Sequence, residues 1–180
     1  MHGMIMAELW KYVDKIYGKA TWEKLLEEAG LGPRIFAHTR TYPDEEALAL
    51  ISAASRLTVK PIPAILEEFG EFIVPDLVAL YGGLIKPEWK TLDLIEHTEE
   101  TIHTVVRRQN PGATPPALEC SRLSPDRLVI RYRSSRKMCG LAKGIAKGVA
   151  KHYKERIILT ESRCMLVGNG HCEISVALMN

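Results

Sequence analysis

The stretch from Leu92 to Pro116 constrains this chain most, because it predicts a helix that runs directly into a proline-rich loop. At about 100° per residue, His103 lies at the edge of the apolar arc of that helix, which is formed by Leu92, Ile95, Ile102 and Val106. His97 points nearly the opposite way, towards water. A single inward histidine is usually a hydrogen-bonded core residue, so His103 needs further support before it is assigned a binding role.

The composition favours one domain over residues 1–180, because 180 residues with 46% hydrophobic content can bury a substantial core. A formal net charge of +2 gives no reason to expect nucleic acid or an anionic membrane as a partner. The chain starts without a signal-peptide pattern and contains no apolar run of about 18 residues, which predicts a cytoplasmic protein. Four cysteines in such a chain favour metal or redox chemistry over a disulfide framework.

Helical patterns dominate the first 110 residues, over 4–17, 21–29, 45–58, 63–80 and 87–108. Pro75 is expected to kink or divide the fourth of these helices. Beyond residue 110, a helix over 137–154 is flanked by predicted strands at 117–121, 127–133, 156–160 and 172–178. This order predicts an α+β fold, in which a helical part of about residues 1–110 packs on an α/β part of about 111–180 with a small antiparallel sheet and a long helix. The loop 111–116 is expected to be the hinge between them.

A glycine stripe marks the helix predicted over 137–154, where Gly140, Gly144 and Gly148 recur every four residues. Each interior glycine costs roughly 1 kcal/mol of helix stability relative to alanine. Three glycines in register therefore indicate that another part of the protein or a ligand packs close to the helix backbone. Tight packing on the sheet and the wall of a pocket for a planar ligand both explain the pattern.

A polar trio stands just before that helix, in the sequence Tyr132-x-Ser134-x-Arg136. On an extended strand these alternate residues share one face. Two hydroxyls and a guanidinium together suit a carboxylate or a phosphate, because arginine forms bidentate, charge-assisted hydrogen bonds with such groups.

Together these features resemble the heme nitric oxide/oxygen-binding (H-NOX) family, which includes the sensor domain of soluble guanylate cyclase and stand-alone bacterial gas sensors. The resemblance covers essentially the whole chain. It rests on the opening Met1–Gly3, on His103 followed at the family's interval by Gly112–Pro116, and on the Tyr-x-Ser-x-Arg signature at 132–136. It implies a bacterial, non-enzymatic sensor with ferrous heme b between the two parts of the fold.

The resemblance also implies a role for each residue of the signature. His103 is the protein ligand of the heme iron, and Pro116 presses on the porphyrin and distorts it. The heme propionates are held by Tyr132, Ser134 and Arg136.

In this family, the residues on the side of the heme opposite the histidine decide which gas binds. Oxygen-binding members place a tyrosine hydroxyl there with polar support, whereas the corresponding positions in this chain are Leu141, Leu9 and Ile73. Ile5, Leu77 and Ile145 complete an apolar distal pocket. The resemblance thus implies a sensor that binds nitric oxide and carbon monoxide and excludes oxygen. Release of His103 and relaxation of the heme would signal to a separate histidine kinase or cyclic-di-nucleotide enzyme.

Cys139, Cys164 and Cys172 form a second candidate site, because three converging thiols suit tetrahedral zinc. Some bacterial relatives carry a zinc site of three cysteines and one histidine, and Glu161 stands at the position of that histidine. The fourth ligand is therefore Glu161 or His171, or the site is degraded. Buried small hydrophobes are the plain alternative.

Two other functions remain open. One is a zinc–thiol redox sensor, in which oxidation of the cysteines expels zinc. The other is an apolar-ligand-binding domain of the four-vinyl reductase type, which the segment Gly168–Cys172 resembles. An enzyme is not expected, because the sequence lacks a glycine-rich phosphate loop and a Gly-x-Ser-x-Gly elbow.

Overall fold

Helices form the first part of the chain, and a sheet with one further helix forms the second, in a computed structural model that describes residues 1–179. The helices are α1 Gly3–Tyr17, α2 Lys19–Glu28, α3 Asp44–Thr58, α4 Ile62–Tyr81, α5 Thr91–His97, α6 Thr104–Gln109 and α7 Cys139–His152. The strands are β1 Ala117–Ser124, β2 Arg127–Arg133, β3 Ile157–Arg163 and β4 Cys172–Leu178. The predicted α+β class is confirmed.

The sheet is antiparallel throughout, with the strand order β1-β2-β4-β3. Its central strands alternate buried and exposed residues, so one face packs under α5 and α7 through Leu128, Ile130, Ile174 and Val176. In this register Tyr132 pairs with Leu118 on one side and with Cys172 on the other. The sheet thereby brings the end of β2 next to both the start of β1 and the first residue of β4.

The glycine stripe of α7 packs against α4, which neither explanation drawn from the sequence anticipated. A Cβ atom at Gly144 would lie 2.1 Å from the carbonyl oxygen of Glu67, and one at Gly148 would lie 2.9 Å from that of Glu71. The two backbones are too close for any side chain between them. The adjacent stripe of Leu141, Ile145 and Val149 faces a cavity instead.

The helix that carries His103 differs from its prediction in start and regularity. It begins at Thr91, and a π turn over Glu99–His103 joins α5 to α6. The His103 N–H donates to the carbonyl of Thr98 at 3.0 Å, five residues back. The contrast between the histidines persists, because His103 is 15% exposed and His97 is 37% exposed.

Pro75 does not divide α4, which runs unbroken from Ile62 to Tyr81. The division into two parts at the loop 111–116 stays a prediction. Among residues 1–179, no one helix has both the length and the apolar content needed to cross a membrane; α3 and the stretch Ile62–Leu84 meet that test only as a pair bent by 109°.

Candidate functional site

A cavity of about 250 Å³ lies between the histidine helix on one side and α1, α4 and α7 on the other. A single water needs only about 10–15 Å³ by this measure, so the space is of the size that holds a cofactor. Most of its wall is apolar, with Ile95, Ile102, Val106 and Leu118 on the histidine side and with Ile5, Leu77, Leu141 and Ile145 facing them.

The predicted distal residues do not all reach this cavity. Ile5, Leu77, Leu141 and Ile145 line it. Leu9 and Ile73 lie outside its lining, in the hydrophobic core, with exposed fractions of 5% and 0%. Val74 and Val78 of α4 line the wall, and the sequence did not single them out. With these replacements most of the wall on this side is apolar, and its polar residues are Tyr81 at the end of α4 and His2 just before α1.

His103 presents its imidazole to the cavity from the π turn. Its Nδ1 lies 3.0 Å from Oε2 of Glu99. An ionised carboxylate only accepts hydrogen bonds, so Nδ1 carries the proton and the lone pair is on Nε2. The ring is therefore held in the tautomer that a metal ligand needs.

The electrostatics of this pair favour a neutral imidazole next to a charged carboxylate. Burial lowers the pKa of His103, and the hydrogen bond to Glu99 offsets only part of that effect. Burial alone would raise the pKa of Glu99, but hydrogen bonds from His103, Arg107 and the Leu118 N–H outweigh it and lower that pKa. At neutral pH the site thus offers an unprotonated nitrogen donor.

The polar trio lines the same cavity, although it does not lie on one strand as the sequence suggested. β2 ends at Arg133, and a turn follows in which the Arg136 N–H donates to Ser134 Oγ at 3.3 Å. This turn, not strand alternation, brings all three residues to the wall of the cavity. Burial raises the pKa of Tyr132 to about 12, so its phenol stays a hydrogen-bond donor.

Arg136 is anchored at the edge of the cavity. Its Nη1 donates to the carbonyl oxygen of Thr114 at 2.7 Å, and its Nη2 to Thr114 Oγ1 at 2.5 Å. Its Nε lies 2.8 Å from Asp44 Oδ1 but is not aligned for a hydrogen bond to it. The side chain is 10% exposed, and its charge is paired with Asp44, so an anionic group on a ligand would have to share the guanidinium with that carboxylate.

Three further residues complete the wall. Pro116 lines the cavity where the chain enters β1. His2 and Tyr81 also line it, and neither residue was assigned a role from its sequence pattern. His2 Nδ1 accepts from the Met4 N–H at 3.3 Å, and its buried Nε2 has no hydrogen-bond partner within residues 1–179. Its place in the opening motif was the only signal that could have marked it.

The three predicted cysteines meet in a separate cluster. Sγ of Cys164 lies 3.7 Å from that of Cys139 and 3.9 Å from that of Cys172. Glu161 joins them, with the four candidate ligand atoms within 4.8 Å of one another, and His171 is outside this group. Tetrahedral zinc with zinc–sulfur bonds of about 2.3 Å separates its sulfur ligands by about 3.8 Å. The cluster therefore has the spacing of a zinc site.

The chemistry of the cluster depends on burial. Burial raises the pKa of Cys139 and of Cys172, so both thiols are protonated at neutral pH until a metal replaces the protons. Glu161 Oε2 also lies 3.3 Å from Lys143 Nζ, which would compete with a metal for that carboxylate. Cys120 lies apart from the cluster, and its Sγ contacts the Ile95 carbonyl at 3.8 Å.

Comparison with known proteins gives a consistent match. The family model described as Haem-NO-binding matches residues 2–161. Soluble guanylate cyclase gcy-31 of Caenorhabditis elegans is 22% identical over 138 residues, which are 76% of this chain and 20% of that protein. Soluble guanylate cyclase 89Db of Drosophila melanogaster is 24% identical over 137 residues, with the same shares. The chain spans about a fifth of the length of these curated relatives.

Solved structures show the same fold. A crystal structure of an H-NOX protein from S. oneidensis in the Fe(II)NO ligation state has a TM-score of 0.92, with 24% identity and 100% of both chains covered. The I5F mutant of T. tengcongensis H-NOX has a TM-score of 0.88, with 22% identity and coverage of 100% of this chain and 98% of that one. At these identities the likeness establishes the arrangement of the helices and the sheet.

Proposed function

The chain belongs to the Haem-NO-binding (H-NOX) family of heme-binding gas-sensor domains, and on that premise we propose that it senses nitric oxide and carbon monoxide at a ferrous heme b while excluding oxygen. One observation carries the proposal. A single cavity joins a neutral imidazole on one wall, an anchored guanidinium at its edge and apolar side chains on the opposite wall.

The residues around the cavity fit a heme. His103 offers an unprotonated Nε2, and Arg136, whose guanidinium bonds to Thr114 and pairs with Asp44, lines the same cavity as Tyr132 and Ser134. We assign the iron ligand to His103, the propionates to the polar trio and the contact with the porphyrin face to Pro116. When bound, ferrous heme would supply the iron that binds a diatomic gas.

The apolar wall supports selectivity for nitric oxide. Ile5, Leu77, Leu141 and Ile145 carry no hydrogen-bond donors. Dioxygen takes on partial negative charge when it binds and is stabilised by a nearby donor, whereas nitric oxide and carbon monoxide depend less on one. We therefore expect these four positions to disfavour oxygen relative to the other two gases.

We propose that this chain signals through a separate protein and has no catalytic role of its own. His103 would hold the iron, and its release on gas binding would let the helix from Thr91 to Gln109 shift against the sheet and alter the surface that the partner contacts. Such a response requires that the gas favours one of two arrangements of the protein. We expect a bacterial histidine kinase or cyclic-di-nucleotide enzyme as that partner.

The cysteine cluster favours a second function. We propose that Cys139, Cys164 and Cys172 hold one structural zinc with Glu161 as the fourth ligand, on the strength of sulfur separations of 3.7 and 3.9 Å. Oxidation of these thiols would expel the metal and release the β3–β4 hairpin, which is the zinc–thiol redox sensor considered above.

The heme assignment is tested with His103→Gly. The unmodified protein is expected to bind one heme per chain, whereas the variant requires added imidazole to restore the absorption spectrum of the reduced protein. The physical reason is that free imidazole enters the space the side chain leaves and supplies the missing nitrogen. Absorption spectra with and without imidazole provide the measurement.

His97→Gly is the matched control, because His97 lies on the same helix but stacks on Trp89 with the ring centroids 4.8 Å apart. Its spectrum should equal that of the unmodified protein. An unchanged spectrum for His103→Gly without imidazole would show that another residue ligates the iron.

A further inference from the structure

Glu99 connects the proposed iron ligand to the sheet through one carboxylate. Its Oε2 accepts from His103 Nδ1 at 3.0 Å and from the backbone N–H of Leu118 at 3.1 Å. Its Oε1 accepts from the guanidinium of Arg107. The carboxylate thus holds a cation, the imidazole and the start of β1 at the same time.

The π turn frames this arrangement. Glu99 and His103 are the first and last residues of the turn, and the Thr104 hydroxyl donates to the Glu99 carbonyl at 3.1 Å. π turns are rare, and they occur frequently at functional sites. Here His103 lines the cavity, and the carboxylate of Glu99, which is 29% exposed, is directed to His103 and to the start of β1.

We propose that Glu99 is a positioning residue that orients His103 and strengthens its bond to the heme iron. This inference rests on the proposed function. A carboxylate that accepts the Nδ1 proton fixes the tautomer and the ring orientation, and it increases the electron density on Nε2. A neutral acceptor in its place supplies the orientation but not the charge.

The second contact of the same oxygen extends this role to signalling. Leu118 lies two residues after Pro116 and pairs with Tyr132 across β1 and β2. Any displacement of His103 therefore changes a hydrogen bond to the strand that follows the porphyrin-contacting proline. Glu99 sets both how firmly His103 holds the iron and how its release reaches the sheet.

Glu99→Gln tests the proposal, because it keeps the shape and an acceptor oxygen but removes the charge. Resonance Raman spectra of the reduced, heme-loaded protein report the iron–histidine stretching band directly. We expect that band to shift to lower frequency in Glu99→Gln. We also expect heme transfer to excess apomyoglobin to become roughly 10-fold faster or more, the usual size of such an outer-shell effect.

Glu100→Gln is the control, since Glu100 is the next residue, is 69% exposed and contacts His97 instead. Its band and transfer rate should equal those of the unmodified protein. A purely structural role for Glu99 would lower the thermal stability without moving the band, and an unmoved band overturns the proposal.

Glu99→Asp keeps the charge on a shorter side chain, and it serves if the glutamine variant does not fold. Its carboxylate is one methylene too short to keep the 3.0 Å contact with His103 Nδ1, so a downward shift is expected again, and an unmoved band overturns the proposal. An unmodified protein that shows no iron–histidine band overturns the proposed function and this inference together.

Discussion

If the unmodified protein excludes oxygen as proposed, Leu141→Tyr is expected to form a stable oxygen complex. Leu141 lies on α7 at the apolar wall of the cavity. A phenol there introduces a donor at a position of this wall that has none. A hydrogen bond to a charged acceptor contributes about 1.5–3 kcal/mol, which corresponds to an oxygen affinity roughly 10- to 150-fold higher. Absorption spectra of the reduced protein titrated with oxygen measure the change.

Leu141→Phe is the matched control, because it adds the same ring without the hydroxyl. Its oxygen affinity should stay as low as that of the unmodified protein. If the tyrosine and phenylalanine variants respond to oxygen alike, hydrogen bonding does not govern selectivity in this pocket.

Cys164→Ser is expected to abolish stoichiometric zinc binding. Cys164 lies within 3.9 Å of both other thiols, so its loss leaves two thiolates and Glu161 to hold the metal. Loss of an outer-shell partner already costs about 10- to 100-fold in metal affinity, and loss of a direct ligand costs more. Elemental analysis of the purified protein, with zinc release followed by a chromogenic chelator, gives the result.

Acid should weaken the same site. Burial raises the pKa of Cys139 and of Cys172, so protons compete with zinc for both thiols, and the zinc affinity is expected to fall as the pH is lowered. Cys120→Ser is the control, because Cys120 lies outside the cluster and that variant should retain its zinc. Equal zinc content in the Cys164 and Cys120 variants would contradict the proposed site.

The elements and the fold class were predictable because hydrophobic periodicity reports which residues a helix or strand must bury. The predicted bounds of the helices and strands were wrong where contacts between distant segments decide where an element begins or ends. Nothing in the sequence near His103 indicates a π turn, since the hydrogen bond from the His103 N–H to the Thr98 carbonyl differs from a regular helix by one residue. The prediction that His103 points inward is confirmed, since its side chain is 15% exposed. That exposure depends on which side of the helix the residue lies, more than on the exact helical angle between neighbouring residues.

The parts of the site that the sequence could not supply are those made by close approach between distant segments. The glycine stripe of α7 was visible, but its partner, the backbone of α4 at Glu67 and Glu71, lies about 80 residues earlier in the chain. Likewise, nothing in the sequence distinguishes Glu99 from the other acidic residues of this helix. Its hydrogen bond from the Leu118 N–H is visible only in the structure. Hydrophobic periodicity identifies which face of a helix or strand is buried. It does not identify which atoms of a distant segment contact that face.

The absorption spectrum of the reduced, heme-loaded protein, recorded under argon and then under nitric oxide, carbon monoxide and oxygen in turn, tests the central claim most directly. We predict a spectrum that changes on addition of nitric oxide and of carbon monoxide, and that oxygen leaves without a stable complex. A stable oxygen complex in the unmodified protein would contradict the assignment of an apolar distal wall. Failure to retain heme would contradict the account of the cavity as a whole.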